Sequence, residues 1–236
     1  MATRTAPVSP ALVEVAEAVV RTCRRLWERG LVAGGDGNVS VRVGPDRVLI
    51  TPAGLSKVDV EVHDLVLVTL AGTVVEGARA PSSEHDLHLQ AYRARPDIGA
   101  VVHAHPVTAT ALALSAGTLP VDLLPEITVL LGPVPLVPYA TPGTAAVAGA
   151  FAPYWGAHDA FLMAHHGALT VGRDLVEAHQ RMESLEHAAR IVATARALGP
   201  LPSLSGDEVA ILQEMRAARR TSARGDDGPC SPDLIR

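Results

Sequence analysis

The sequence predicts a single α/β domain with a central mixed, mostly antiparallel β-sheet flanked by helices. Three observations predict it. Short β-branched runs joined by Gly- and Pro-containing turns alternate with segments whose apolar residues recur at helical spacing. Hydrophobic residues make up 48% of the 236, enough for one well-filled core, and that length requires no second domain. No internal repeat is visible, and mixed hairpins and helices are best arranged around one sheet. The domain is expected to span residues 1–220. Residues 221–236, rich in Gly, Asp, Ser and Pro, are expected to be a disordered tail.

The first helix is predicted over 11–29, where Val13, Ala16, Val19, Val20, Cys23 and Trp27 share a face and Gly30 provides the C-terminal stop. A glycine-rich turn, Gly34-Gly35-Asp36-Gly37-Asn38, leads into β-like runs at 39–43 and 47–50. A second hairpin is expected from 65–70 and 73–75 around Ala71-Gly72. Ser82 or Ser83 would cap a helix reaching about Arg95. From Ala100 the pattern reads strand, helix, then short strands at 128–131 and 134–137. A helix near Thr144, a buried strand at 160–164 and a long helix over 174–198 complete the order.

Charge and composition exclude several classes. Twenty basic against 25 acidic residues leave a net charge of −5, which argues against a nucleic-acid partner. The basic clusters Arg21, Arg24, Arg25 and Arg216, Arg219, Arg220 read as solvated faces. Cys23 and Cys230 stand far apart and form no metal or redox motif, which fits a reducing cytoplasm. No apolar run suggests a signal peptide. The window 98–117 is the most membrane-like, but His103 and His105 within it are costly in lipid, so no membrane association is expected. With aromatics at only 3%, the apolar character comes from Ala, Val and Leu, which suits a tight core or a subunit interface.

Three units carry chemistry. In Val101-Val102-His103-Ala104-His105 two imidazoles stand at i and i+2 of a strand, so both point to one face and could share a metal. A buried strand ending in His165-His166-Gly167 offers a third ligand; His166 is favoured, and Gly167 would let the backbone turn close beside it. Three neutral imidazoles with an open fourth position describe a catalytic zinc site, with manganese or another divalent cation as the alternative. The third unit is Pro81-Ser82-Ser83-Glu84, where Glu84 reads either as a helix-terminal dipole partner or as a general base. Ser82 and Ser83 at a helix start, and the 34–38 turn, are both candidate anion cradles.

In this order, these units and the text around them resemble the class II aldolase and adducin-head family, most closely its fuculose-1-phosphate aldolases. The matching segments are Gly37-Asn38-Val39-Ser40-Val41-Arg42, Leu49-Ile50-Thr51-Pro52-Ala53-Gly54, Pro81-Ser82-Ser83-Glu84, the 101–105 strand, Pro138-Tyr139-Ala140-Thr141-Pro142-Gly143-Thr144 and His165-His166-Gly167. The resemblance spans about residues 10–200. It implies a nine-stranded sheet and a fourfold-symmetric homotetramer with sites at subunit interfaces. It further implies zinc on His103, His105 and His166, with Glu84 as fourth metal partner and base. Gly37, Asn38, Gly54, Ser82 and Ser83 would hold a sugar phosphate. The implied activity is metal-dependent cleavage of a ketose 1-phosphate, such as fuculose 1-phosphate or a (deoxy)pentulose 1-phosphate, to dihydroxyacetone phosphate and an aldehyde. The alternatives are a sugar-acid phosphate decarboxylase, a pentulose-5-phosphate 4-epimerase and, more remotely, a non-catalytic scaffold. Two departures stand out: Ala53 replaces a hydroxyl residue of the phosphate loop, and Leu124 fills the slot of the family's proton-handling tyrosine.

Overall fold

The computed structural model describes residues 12–115 and 117–222. Helix α1 (Val13–Glu28) buries Ala16, Val19, Val20 and Cys23 of the predicted apolar stripe, together with Leu26, while Val13 and Trp27 at its two ends stay exposed; Gly30, at φ +66°, turns the chain back just beyond it. Strands β1 (Asn38–Gly44) and β2 (Arg47–Ile50) form the first hairpin, β3 (Val66–Thr69) and β4 (Val74–Glu76) the second. Helix α2 (His85–Ala94) then leads to β5 (Ala100–Ala104) and α3 (Val107–Leu114). The remaining elements are β6 (Leu136–Val137), α4 (Ala145–Phe151), β7 (Ala160–Met163), β8 (Gly167–Gly172), α5 (Leu175–Leu198) and α6 (Gly206–Ser222).

One sheet contains every strand among the described residues, in the order β4-β3-β2-β1-β5-β8-β7-β6. All pairings are antiparallel except β6 with β7. Side chains alternate across it, so the sheet feeds two cores, one on each face. Leu49, Val102, Ala104 and Leu162 pack with α1, α3 and α5 on one face. Ile50, Val101, Phe161 and Leu169 pack with α2 and α4 on the other. His103 follows Val101 at a two-residue step and therefore opens toward the α2 face. Asn38 lies directly opposite it, at the end of the β1–β5 ladder.

Several expectations require correction. The expected nine strands are eight among the described residues. Residues 128–131 are not a strand but part of a π-helical turn, Ile127–Leu131, with Ile127, Thr128 and Leu131 buried. Its apolar run has no strand partner; Thr128 Oγ1 donates to the Val121 carbonyl, and Gly132, at φ +66°, closes the turn by donating to Ile127 O at 2.7 Å. β8 was not anticipated, because the small residues of Gly167-Ala168-Leu169-Thr170 mask its pattern. It is buried on both faces between β5 and β7. α6 was also unread, although Ser205 and Glu208 form a reciprocal capping pair at its start: Glu208 N–H donates to Ser205 Oγ, and Ser205 N–H to Glu208 Oε2 at 2.8 Å. α6 carries Arg216, Arg219 and Arg220. Arg216 and Arg220 turn inward toward buried Asp159 rather than lying on a solvated face. The tail expected at 221–236 lies, beyond Ser222, outside the described residues. Among those described, no helix is long and apolar enough to cross a membrane; the 98–117 window holds β5 and α3, as expected of a strand and helix.

Candidate functional site

Strand pleating and one hairpin bring three imidazoles together. His103 is the fourth residue of β5 and His105 lies just past its end, so both face the same side. His166 ends the tight turn between β7 and β8, where its N–H donates to Met163 O at 3.1 Å. The ring centroids of His103, His105 and His166 lie 4.8–4.9 Å apart pairwise. His103 Nε2 and His105 Nε2 are 3.1 Å apart. A Cβ on Gly167 would fall 2.5 Å from Ala104 O and 2.6 Å from His105 Cδ2, so glycine is what permits this approach. His165, at φ +57°, points away and packs edge-on against Tyr139 at the surface.

Outer contacts fix how the rings present themselves. His103 Nδ1 donates to Ala168 O at 2.9 Å, which leaves Nε2 with its lone pair toward the cluster. Asp36 Oδ2 sits 3.3 Å from His105 Nδ1 and holds that ring the same way. The carboxylate of Glu84 closes the fourth side, with Oε2 3.2 Å from His103 Nε2 and Oε1 3.5 Å from His166 Nε2. Oε1 is buried without a hydrogen-bond partner. Inward-facing imidazole nitrogens and an orphaned carboxylate oxygen leave unshared electron pairs aimed at one point. That is the donor set a divalent cation satisfies. His103, His105 and His166 are grouped closely enough to hold one ion.

Charge within the cluster is coupled. Burial works against ionised Glu84, but the adjacent His103 and the Asn38 amide outweigh it and keep the carboxyl well below the usual carboxylate range. Burial also works against a charge on His103, yet Glu84 lifts its pKa above the ordinary value. His166 is pushed down to about 4, by burial and then by His103.

Behind Glu84 runs a buried proton-ordered chain that sequence reasoning missed. Tyr92 OH donates to Ser40 Oγ at 2.9 Å, and Ser40 donates to His88 Nδ1 at 2.7 Å. His88 Nε2–H donates to Asn38 Oδ1 at 2.5 Å, and Asn38 Nδ2 donates to Glu84 Oε2 at 2.9 Å. The direction is forced, because the Asn38 carbonyl can only accept. His88 is fully buried behind the site. Its position was concealed by 50 residues of separation from Asn38.

The other expected residues surround this centre. Thr51 links β1 to the 81–84 loop, because Val39 N–H donates to Thr51 Oγ1 and Ser82 N–H to Thr51 O. Ser82 is buried and accepts Glu84 N–H at 3.3 Å, whereas Ser83 is exposed near Gly143. The residue at the start of α2 is thus Glu84, one position beyond the serines expected there, and its side chain makes no capping hydrogen bond. Gly37 and Gly54 both have positive φ, +72° and +75°; the space beside Gly37 is filled by His103 O, that beside Gly54 is open. Lys57 was overlooked entirely: it is 1% exposed, and its Nζ donates to Gly35 O at 3.2 Å and Leu55 O at 2.9 Å. One ammonium therefore ties the two glycine turns together, and burial lowers its pKa.

This order of loops and histidines matches known proteins over most of the chain. A model of the Class II Aldolase and Adducin N-terminal domain matches residues 17–193. The chain belongs to the class II aldolase and adducin family. A 3-oxo-tetronate 4-phosphate decarboxylase of Haemophilus influenzae is 34% identical to this family member over 182 residues, covering 75% of this chain and 86% of that protein. The L-fuculose phosphate aldolase of Escherichia coli strain K12 is 33% identical over 202 residues, covering 85% and 93%. A solved L-fuculose 1-phosphate aldolase shares the fold of this class II aldolase relative with a TM-score of 0.80 at 33% identity, covering 88% of this chain and 97% of its own.

Proposed function

We propose that this chain is a divalent-metal-dependent lyase of the class II aldolase type, cleaving a ketose 1-phosphate to dihydroxyacetone phosphate and an aldehyde. The observation that supports this reading is the convergence of His103, His105 and His166 with the orphaned Glu84 oxygen. These four residues would hold the ion. Zinc suits an all-imidazole set, with manganese or another divalent cation as the alternative, and when bound it would stabilise the charge developing on the substrate's carbonyl oxygen.

The chain's own groups account for the rest. Glu84 is ionised and oriented by Asn38, so it can accept a proton from, and return it to, the carbon of the dihydroxyacetone phosphate half. Backbone N–H groups beside Gly37 and Gly54, with the hydroxyls of Ser82 and Ser83 and the second amide hydrogen of Asn38, would hold the phosphate. Lys57 fixes the spacing of the two turns. In the cleavage direction the C3–C4 bond breaks, C3 takes a proton, and the C4 hydroxyl loses one as it becomes the aldehyde. Assembly as a homotetramer, with sites completed at subunit interfaces and in the cytoplasm, belongs to the same proposal.

Leu124 favours a second reading. It is a partly buried apolar residue packed on the core, in the slot where the resemblance expects a tyrosine that handles the aldehyde-side proton. Decarboxylation of a 3-oxo-tetronate 4-phosphate needs no such group: carbon dioxide leaves from an already ionised carboxylate, and only C2 takes a proton. The product is again dihydroxyacetone phosphate. A coupled assay for that product, with and without a chelator, therefore tests both readings. Chelator-sensitive release from ketose 1-phosphates supports the aldolase; release only from the keto acid, with carbon dioxide, supports the decarboxylase. No release from either, by metal-replete protein, refutes both.

A further inference from the structure

At the end of the sheet opposite the histidines lies a cavity of about 310 Å³, bounded by α5, α6, the π-helical turn and the start of β5. From Gly172, beside it, to Leu169, which pairs with His103, is three residues along β8, or roughly 10 Å. Its centre is Asp159, 3% exposed, on which four guanidiniums converge: Arg95 at 3.2 Å, Arg181 at 3.7 Å, and Arg216 and Arg220 at 3.4 Å. Arg173 and Arg219 also line it.

Asp159 is not the sole counter-charge of these arginines: Asp97 pairs with Arg95 at 2.7 Å, and Glu177 with Arg181 at 2.9 Å and Arg173 at 3.2 Å, yet the balance stays positive. Among the described residues the lining holds six arginines and four acidic residues, Asp97, Asp159, Glu177 and Glu183, leaving an excess of two positive charges. Glu183 also serves Arg29 outside the cavity, at 3.1 Å, which deepens the imbalance. Arg216 comes from α6, 57 residues distant from Asp159, and seats its guanidinium over Gly132, where any Cβ would overlap it. Burial lowers the Arg216 pKa; Asp159 opposes that, while Arg220 and Arg181 add to it. Crowding like charges in a partly desolvated cavity is costly when the aim is only to anchor a helix, for which a single arginine on Asp159 would serve. The forked geometry of guanidinium suits phosphate oxygens, and the volume lies at the lower end for small-molecule sites.

We propose that this cavity is a second anion site that takes a small phosphate monoester dianion, whose two charges offset the surplus. The inference stands apart from the reading of the histidine site. It is tested by isothermal titration of the full chain with inorganic phosphate, with ionic strength held constant by chloride. A binding event that survives Ser82→Ala plus Ser83→Ala, but weakens at least tenfold in Arg219→Ala plus Arg220→Ala, is the expected result. Arg216→Lys keeps the charge but loses the fork and should weaken phosphate several-fold while leaving the far-ultraviolet circular dichroism unchanged. It decides the matter if the double variant does not fold. Phosphate binding indifferent to these arginine variants, or heat matched by chloride alone, would overturn the proposal.

Discussion

Glu84 has two duties that a single substitution can separate. Glu84→Gln keeps the shape and the Asn38 contact but cannot carry a proton. Turnover in the dihydroxyacetone phosphate assay should fall by roughly 10²–10⁴-fold while metal content measured by mass spectrometry stays near the wild-type value. If activity survives, Glu84 is not the base. A second residue-scale prediction concerns His88, whose pKa falls from 6.5 to about 3, chiefly through burial. The unfolded chain binds the extra proton, so the contribution of neutral His88 is whole above about pH 6.5. It declines as the pH drops below that and levels off near 3. At pH 5 the loss amounts to about 2 kcal/mol. Urea unfolding of chelator-treated protein at pH 8 and pH 5 should show this difference, and His88→Gln should reduce it; equal pH dependence in both proteins would remove His88 from the account. At this scale the sequence was informative where chemistry is local. His103 and His105 declare a shared face by their spacing, whereas Asp36, Lys57 and His88 act across 69, 22 and 50 residues on His105, Gly35 and Asn38, and no local pattern encodes such partners.

Among elements, the β7–β8 hairpin is what delivers His166. Gly167→Ala would drive a Cβ into Ala104 O and the His105 ring. We expect it to cost about 1–3 kcal/mol by overpacking and to weaken metal binding with it. Retention of wild-type melting temperature and metal affinity would show that the strands can shift apart freely. α5 begins at Asp174, whose Oδ1 accepts Glu177 N–H at 2.7 Å, the start anticipated for this helix. Asp174→Ala should lower stability by about 1 kcal/mol in denaturant titration without changing the metal site, since the loss is confined to one cap. Helices with strong stripes or caps were readable in advance. The capping pair at Ser205 and Glu208 is equally present in the sequence, yet the helix it opens was not among those expected. The run at 128–131 was misread for a different reason: a short apolar segment fits strand or helix until its hydrogen-bond partners are known.

For the molecule as a whole, folding and metal binding should be linked. An ion that binds only the folded chain, at a thousandfold above its Kd, stabilises it by about 4 kcal/mol, which for a chain of this size raises Tm by roughly 10 °C. Calorimetry before and after chelation should reveal that drop, and His103→Ala should melt at the same temperature in both conditions. A Tm indifferent to chelator and zinc would mean the cluster holds no structural charge deficit to fill. The sequence by itself determined the family, the α/β class, the histidine face of β5 and the candidate loops, because these rest on residue type and on spacing over a few positions. Tertiary structure alone decided that Glu84, from the start of α2, meets histidines from β5 and the β7–β8 turn. It also decided that His88 lies behind Asn38 and that the arginines of α6 turn inward onto Asp159. The physical reason is common to all three: a buried charge or polar group must find its partner through space, and the sheet order, which sets β1 and β8 on either side of β5, chooses that partner.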